Sequence, residues 1–166
     1  MIGAILLVAA SVAKIVRPHD TARALQRAGV AAGPMVVRSG AGVEAAIGVA
    51  ALAAGGAAAD FLVAVSYCAF AGFVAVALAR HLPIRTCGCF GEPDSPPSLP
   101  HVLLDLLFAG CAAYSVVSRG HTALPDAVHQ PWDGVPFLAE VAVGALLAYL
   151  AMVELPRLAG ATGERR

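Results

Sequence analysis

Long apolar stretches recur along the chain and are separated by short polar segments. A transmembrane helix needs about 20 predominantly apolar residues, and about 17 is the lower limit. Only a few residues, around positions 55–60, separate the second stretch from the third, which predicts a helical hairpin. We predict five transmembrane helices, of which the first is the shortest: residues 1–16, 40–59, 61–79, 100–118 and 135–155.

A short amphipathic segment follows the first apolar stretch. Thr21–Ala28 has Asp20 before it as a predicted N-cap and Gly29 after it as a stop signal. Arg23 and Arg27 are four residues apart and share one helix face. The pattern therefore predicts a short basic helix that lies on the membrane surface.

The composition strengthens the membrane assignment. Hydrophobic residues make up 59% of the chain and charged residues only 13%, with a mean hydropathy of +0.78. Soluble domains have about 45–50% apolar and about 25% charged residues. Eleven basic residues balance eleven acidic ones, so the positive charge of a nucleic-acid-binding protein is lacking. We predict an all-α membrane bundle of four to five helices, one domain over residues 1–166, with the lipid bilayer around it and no nucleic acid as a partner.

The basic residues lie almost entirely on one side of this topology. With five spans, ten of the eleven Lys and Arg residues fall on the side of the segment 17–39, the loop 80–99 and the C-terminus, and Arg119 falls on the other side. Basic residues concentrate in cytoplasmic segments. The sequence therefore predicts a multi-pass protein of the cytoplasmic membrane with its N-terminus outside and with its C-terminus and the loop 80–99 in the cytoplasm.

The loop 80–99 carries the clearest chemical motif, Cys87-Gly88-Cys89-Phe90-Gly91. Its four prolines exclude a regular helix. A disulfide between two cysteines one residue apart closes a small ring, and strained, exposed disulfides tend to be labile or catalytic. Gly88 permits the backbone that such a ring requires, and the charge of Arg85 favours a thiolate. We interpret Cys87 and Cys89 as a thiol–disulfide exchange pair.

Two other interpretations of the motif stay open. Thiolates bind soft metals, and a site formed by Cys87, Cys89, His81 and His101 is conceivable. Zinc sites, however, usually have two to four residues between their cysteines, whereas this motif has one. The cysteines can also be surface thiols in a tight turn without any chemistry.

The string CGCFG after a hydrophobic hairpin resembles the membrane family of the methylamine utilisation protein MauE, which is related to the DoxX-like small membrane proteins. The run Ser11–Lys14 followed by Pro18 looks like the first helix of that family and its end. Glu44 matches a carboxylate early in the next span, and Ser98 precedes the helix after the loop. The similarity covers most of residues 1–118. Leu104-Asp105 stands where the family leads us to expect a basic or amide residue.

The resemblance implies a membrane bundle that acts in the redox maturation of proteins at or beyond the membrane. It also implies an exchange partner, either a thioredoxin-like protein or the maturing protein itself. The family is associated with methylamine dehydrogenase, whose small subunit is rich in disulfides. A partner outside the membrane conflicts with a cytoplasmic cysteine loop, so either the partner is cytoplasmic or electrons cross the membrane.

Ionisable residues inside the predicted spans form a second candidate feature. At a rise of about 1.5 Å per residue, Lys14, Glu44 and Asp105 all fall in the inner leaflet, on the side of Cys87 and Cys89. Such residues are costly in a membrane and often mark function. We expect a polar cluster that positions the cysteine loop or transfers protons. The alternative is a Lys14–Glu44 pair that only holds two helices together.

Two further cysteines, Cys68 and Cys111, are predicted at similar depths near the middle of the membrane. On facing helices they could form a second pair and relay electrons outward. The alternative is that Cys68 packs as a small residue in a stripe with Ala64 and Gly72.

Two functional hypotheses follow. The first is a membrane thiol–disulfide exchange protein, a possible oxidoreductase with Cys87 and Cys89 as its redox pair and no bound cofactor. The second is a non-enzymatic assembly or scaffold subunit whose motif Cys87–Gly91 docks a partner or holds a metal.

Overall fold

The computed structural model describes residues 1–82, 97–118, 124, 129 and 131–163. Within these ranges the fold is helical and contains no strand, which confirms the predicted all-α membrane bundle. A single turn of 3₁₀ helix, Pro131–Gly134, leads into the last helix. The α-helices are α1 (Ile2–Val16), α2 (Pro18–Arg27), α3 (Pro34–Ala53), α4 (Ala57–Ala79), α5 (Leu99–Ser118) and α6 (Val135–Gly163).

Four helices are long and apolar enough to cross a membrane: α3, α4, α5 and the segment Val135–Met152 of α6. Helices α1 and α2 qualify only as a pair, and they are bent by 93° at Arg17. The described part of the chain thus has four candidate spans, or five if the bent pair counts as one. The protein is a multi-pass membrane protein.

The second span differs from the predicted one. Helix α3 covers Pro34–Ala53 rather than residues 40–59, and α4 begins at Ala57 rather than at residue 61. Pro34 stands at the first helical position, where a proline costs no hydrogen bond. Gly55 and Gly56 have positive φ angles of 63° and 100° and form the turn between the two helices. A hydropathy pattern reveals neither the start of α3 at Pro34 nor the turn at Gly55 and Gly56, because Ala and Gly residues continue across the turn.

Helix α2 confirms the short helix predicted after the first span and its stop at Gly29, with a correction at its start. It begins at Pro18, so Asp20 lies in its first turn and pairs with Arg23 instead of capping the helix. Its end is a Schellman motif in which the Val30 amide donates to the Leu25 carbonyl at 2.9 Å. Gly29, with a φ of 87°, supplies the left-handed residue that this motif requires.

The bundle is built from two closely packed helix pairs, α1 with α3 and α4 with α5. Gly48 of α3 lies against α1 so closely that an added Cβ would be 2.7 Å from Val8 Cγ2. Between the pairs, the Tyr67 hydroxyl donates to the Gly3 carbonyl at 2.7 Å, and the Tyr67 ring packs on Phe108. Small residues therefore bring the backbones together, and aromatic rings fill the centre.

The two ends of the bundle differ in charge. The basic end holds the junction of α1 and α2, the start of α3, the end of α4 and the start of α5, and its basic residues are Arg17, Arg23, Arg27, Arg38 and Arg80. Arg38 Nε donates to the Ile15 carbonyl there at 3.2 Å. At the opposite end Met1, Asp60 and Phe137 line a common pocket of about 350 Å³.

Candidate functional site

An ion pair joins α1 to α3 inside the apolar bundle. Lys14 Nζ lies 2.6 Å from Glu44 Oε2, and the two side chains are only 7% and 22% exposed. Lys14 comes from the last turn of α1, and Glu44 lies ten residues into α3 because that helix begins at Pro34. Glu44 is therefore about 15 Å along its helix, deeper than the sequence predicted.

Aromatic and hydroxyl groups complete the surroundings of Lys14. Its ammonium group lies 4.2 Å from the centre of the Phe70 ring, in cation–π geometry. One turn earlier on α1, the buried Ser11 hydroxyl donates to the Leu7 carbonyl at 2.6 Å. Lys14 is thus held by a carboxylate of α3 and a ring of α4, which fixes a positive charge within the bundle.

A small cavity of about 20 Å³ brings α5 to the same place. Lys14, His101 and Asp105 line it, together with Tyr67 of α4 and Met152 of α6. His101 and Asp105 are 3% and 5% exposed. The cavity has room for about one water molecule. The structure therefore brings Lys14, Glu44 and Asp105 to one region, as one cluster around Lys14.

His101 joins this cluster, and its ring is fixed from the loop side. Ser98 Oγ and His101 Nδ1 are 2.8 Å apart, which links the ring to the residue just before α5. Spaced four residues apart, His101 and Asp105 face the cavity from one side of α5. From the sequence, His101 was considered only as a ligand of a conceivable metal site with Cys87, Cys89 and His81. The His101–Asp105 spacing within an apolar helix was the signal that would have placed it in the cluster.

The motif Cys87-Gly88-Cys89-Phe90-Gly91 lies outside the described residues, as does Arg85. The structure describes the two ends from which this connection leaves, Leu82 after α4 and Pro97 before α5. Leu82 and Pro97 both lie at the basic end of the bundle, on the same side as Lys14 and His101. His81 is exposed in the turn after α4, whereas His101 is buried and bonded to Ser98.

Cys68 and Cys111 are both free thiols and both exposed. The predicted small-residue stripe also needs correction, because Gly72 is exposed along with Cys68 and only Ala64 of the three is buried. The buried face of α4 is formed instead by Val63, Ala64, Tyr67, Ala71, Val74 and Ala77. The packing of α4 is therefore one residue out of phase with the stripe that the sequence indicated.

The cluster around Lys14 has the chemistry of a proton-transfer or charge-positioning site. Within the described ranges, no group of three or more His, Cys, Asp or Glu side chains is arranged to hold a metal ion. The buried side-chain nitrogen and oxygen atoms there all have hydrogen-bond partners. A carboxyl group, an imidazole and an ammonium group around one water-sized cavity can bind, exchange and relay protons.

Comparison with known sequences assigns the chain to a family. Curated proteins and solved structures gave no match for this chain. The sequence profile of the methylamine utilisation protein MauE matches residues 1–118, which include α1 to α5 and the connection that carries the two-cysteine motif. These residues form the larger part of the chain and include the whole cluster around Lys14 except Met152. The chain therefore belongs to the MauE family of methylamine utilisation membrane proteins.

Proposed function

We propose that the protein is a membrane thiol–disulfide exchange protein in which Cys87 and Cys89 form the redox pair. The observation that carries the proposal is the position of the motif. It lies on the connection between α4 and α5, and the helix that follows carries His101 and Asp105 into a buried cavity with Lys14. Membership of the MauE family supports a role in methylamine utilisation, and the resemblance implies redox maturation of a partner protein.

The exchange reaction transfers two electrons through a mixed disulfide. When the pair is reduced, one thiolate attacks a sulfur of the partner's disulfide, and a bond forms between the two proteins. The second cysteine then attacks this bond, the Cys87–Cys89 disulfide closes, and the partner leaves with two thiols. The reverse sequence oxidises the partner. In a ring this small the disulfide is strained, which favours rapid exchange over storage.

The cluster around Lys14 supplies a role for the buried charges in this reaction. Two thiols that become a disulfide release two protons, and exchange needs a thiolate at each step. Asp105 and His101 lie in the first two turns of α5, and His101 is hydrogen-bonded to Ser98, the residue just before that helix. They accept and pass on these protons, while Lys14 holds a positive charge nearby that favours anionic groups.

The charge distribution supports a cytoplasmic position for the motif. Arg17, Arg23, Arg27, Arg38 and Arg80 collect at the basic end, where the connection leaves α4. In the cytoplasmic membrane this end faces the cytoplasm, and so does the C-terminus. The exchange partner is a thioredoxin-like protein or the maturing protein.

Trapping of the mixed disulfide tests the proposal. Replacement of the cysteine that resolves the mixed disulfide leaves the partner covalently attached, so we expect either Cys87→Ser or Cys89→Ser to accumulate a reducible adduct in cells. The double variant should form none. Cys68→Ser and Cys111→Ser, which change the exposed thiols of α4 and α5, are the controls and should behave as the unmodified protein. Survival of partner maturation in the Cys87→Ser, Cys89→Ser variant would instead support the scaffold function.

A further inference from the structure

A second opening lies beside the Lys14–Glu44 ion pair, in a groove between α2, α3 and α4. It encloses about 280 Å³, close to the lower limit of about 300 Å³ for pockets that hold a drug-sized ligand. Val36, Val37, Phe70 and Phe73 form apolar walls. Val36 is 61% exposed on a membrane-spanning helix, so the groove is open on the side that faces lipid.

The floor of this groove is polar. Lys14 and Glu44 both line it, and Thr21 of α2 contributes a hydroxyl group. An ammonium group has three donors, and Glu44 Oε2 takes only one of them. The Glu44 side chain keeps part of its surface exposed. A hydrogen-bond donor and a hydrogen-bond acceptor therefore lie side by side at the base of an apolar groove.

The same groove adjoins the helix ends from which the cysteine motif departs. Phe73 lines the groove and also packs against the buried pair Ala24 and Ala77. Leu82 packs against that pair as well, and it is the last described residue before the motif. A molecule in the groove would thus be bound at the basic end, near Leu82, from which the connection that carries the motif departs.

We propose that this groove binds the head of a membrane quinone, which oxidises the thiol pair. The inference rests on the proposed exchange function, for which it names the oxidant. A ligand that enters from lipid needs an apolar tail, and an aromatic head group packs favourably against walls that contain Phe70 and Phe73. Quinone carbonyl groups accept hydrogen bonds and hydroquinone hydroxyl groups donate them. Lys14 and Glu44 offer a partner to each form.

The redox step balances with these components. The thiols of Cys87 and Cys89 form one sulfur–sulfur bond and release two electrons and two protons. The quinone takes up both electrons and both protons, and its two carbonyl oxygens become hydroxyl groups. The hydroquinone then leaves into the bilayer, and the disulfide is ready to oxidise the next partner.

Blocking the groove without touching its polar floor gives the sharpest test. Gly40 lines the groove, and an added Cβ there meets nothing within 4 Å, so Gly40→Leu adds an apolar side chain at the groove wall. Gly42 is equally free on the same helix but does not line the groove, so Gly42→Leu is the matched control. The probe is an azido-substituted short-chain ubiquinone, photolysed with the purified protein in lipid nanodiscs, with the labelled peptides mapped.

We expect saturable labelling of the groove segments of α3 and α4 that falls at least tenfold in Gly40→Leu and is unchanged in Gly42→Leu. The Cys87→Ser, Cys89→Ser variant should keep the labelling but lose the anaerobic reduction of decylubiquinone that the reduced protein performs. Labelling that is unsaturable, or equal in Gly40→Leu, overturns the quinone site, as does a phospholipid bound there in its place. Saturable labelling without quinone reduction by the reduced protein overturns the oxidant role.

Different outcomes refute the proposed exchange function and the proposed quinone site. A Cys87–Cys89 pair that forms no mixed disulfide in the trapping experiment refutes thiol exchange, whatever the labelling shows. A pair that exchanges with a partner while the groove takes no quinone refutes only the present inference. Gly40→Ala, which adds a single methyl group, should reduce labelling less than Gly40→Leu, and it keeps the test usable if the larger substitution prevents folding.

Discussion

Lys14 Nζ of α1 and Glu44 Oε2 of α3 are 2.6 Å apart within the helical bundle, in surroundings that contain the ring of Phe70. Each charge is compensated by the other in a region where water is scarce. The pair is also the meeting point of two openings, the small cavity with His101 and Asp105 and the larger groove between α2 and α4. The geometry of this pair therefore affects both the proton transfer proposed for the cavity and the quinone binding proposed for the groove.

Removal of one partner of this ion pair should cost more than removal of both. We expect Lys14→Met to lower the free energy of unfolding by up to about 3–5 kcal/mol, because Glu44 is left as a largely buried charge without its cation. The double variant Lys14→Met, Glu44→Gln should recover much of this loss. Arg23→Met, which breaks the exposed pair with Asp20, is the control and should cost no more than about 1 kcal/mol. Denaturant unfolding in mixed micelles measures all three, and equal losses in the single and double variants would contradict the coupling.

Close packing of α1 on α3 should make Gly48 intolerant of a methyl group. An added Cβ would lie 2.7 Å from Val8 Cγ2 and 3.0 Å from the Ala4 carbonyl oxygen, so the Val8 side chain and the α1 backbone must shift. We expect Gly48→Ala to destabilise the protein by about 1–3 kcal/mol. Gly42→Ala meets nothing within 4 Å and should not destabilise. Thermal unfolding of the two variants decides the matter, since equal melting temperatures would show that α1 is not packed as described.

The hydroxyl group of Tyr67 should contribute to the contact between α4 and α1. Tyr67→Phe removes the 2.7 Å hydrogen bond to the Gly3 carbonyl and keeps the ring on Phe108. The expected loss is about 0.5–1.5 kcal/mol. Tyr114→Phe makes the same chemical change at a ring that is 73% exposed, and its melting temperature should not move. If both variants have the melting temperature of the unmodified protein, the hydrogen bond does not contribute to stability.

Loss of the carboxyl group at Asp105 should slow thiol exchange without unfolding the bundle. Asp105→Asn keeps the size of the side chain in the cavity but removes its ability to accept a proton. Positioned acid–base groups contribute about 10²–10⁴-fold, so we expect a decrease of at least about 100-fold in the exchange rate. Glu140→Gln, at an exposed position of α6, is the control. If the Asp105→Asn variant is folded and has a normal exchange rate, the cluster around Lys14 has only a structural role.

The sequence was sufficient to predict the helical membrane class because apolar length alone determines it. The boundaries of α3 were missed, since Ala and Gly carry the apolar signal across the turn at Gly55 and Gly56. Pro34 and the two glycines held the correct information as helix start and stop signals. The residues that start and stop the helix thus predict the bounds of α3 better than hydropathy does.

The candidate site was predictable in part. Lys14, Glu44 and Asp105 were singled out because charges are rare in membrane spans, and the structure gathers them around one buried amine. His101 was harder to place, since only its spacing to Asp105 indicated a shared helix face. Phe70 gave no signal, because an aromatic residue in an apolar helix is ordinary. Which faces of α1, α4 and α5 meet depends on tertiary packing, and no local pattern encodes it.

Thiol labelling in intact cells is the decisive test of a cytoplasmic redox pair at Cys87 and Cys89. Variants that retain only Cys87 or only Cys89 are treated with a membrane-impermeant maleimide before and after lysis, and the unmodified protein is treated with and without prior reduction. We expect both thiols to react only after lysis, and the pair in the unmodified protein to react only once it has also been reduced. Thiols that react fully after lysis without any reductant, in cells whose partner protein is matured normally, would contradict a redox pair at Cys87 and Cys89.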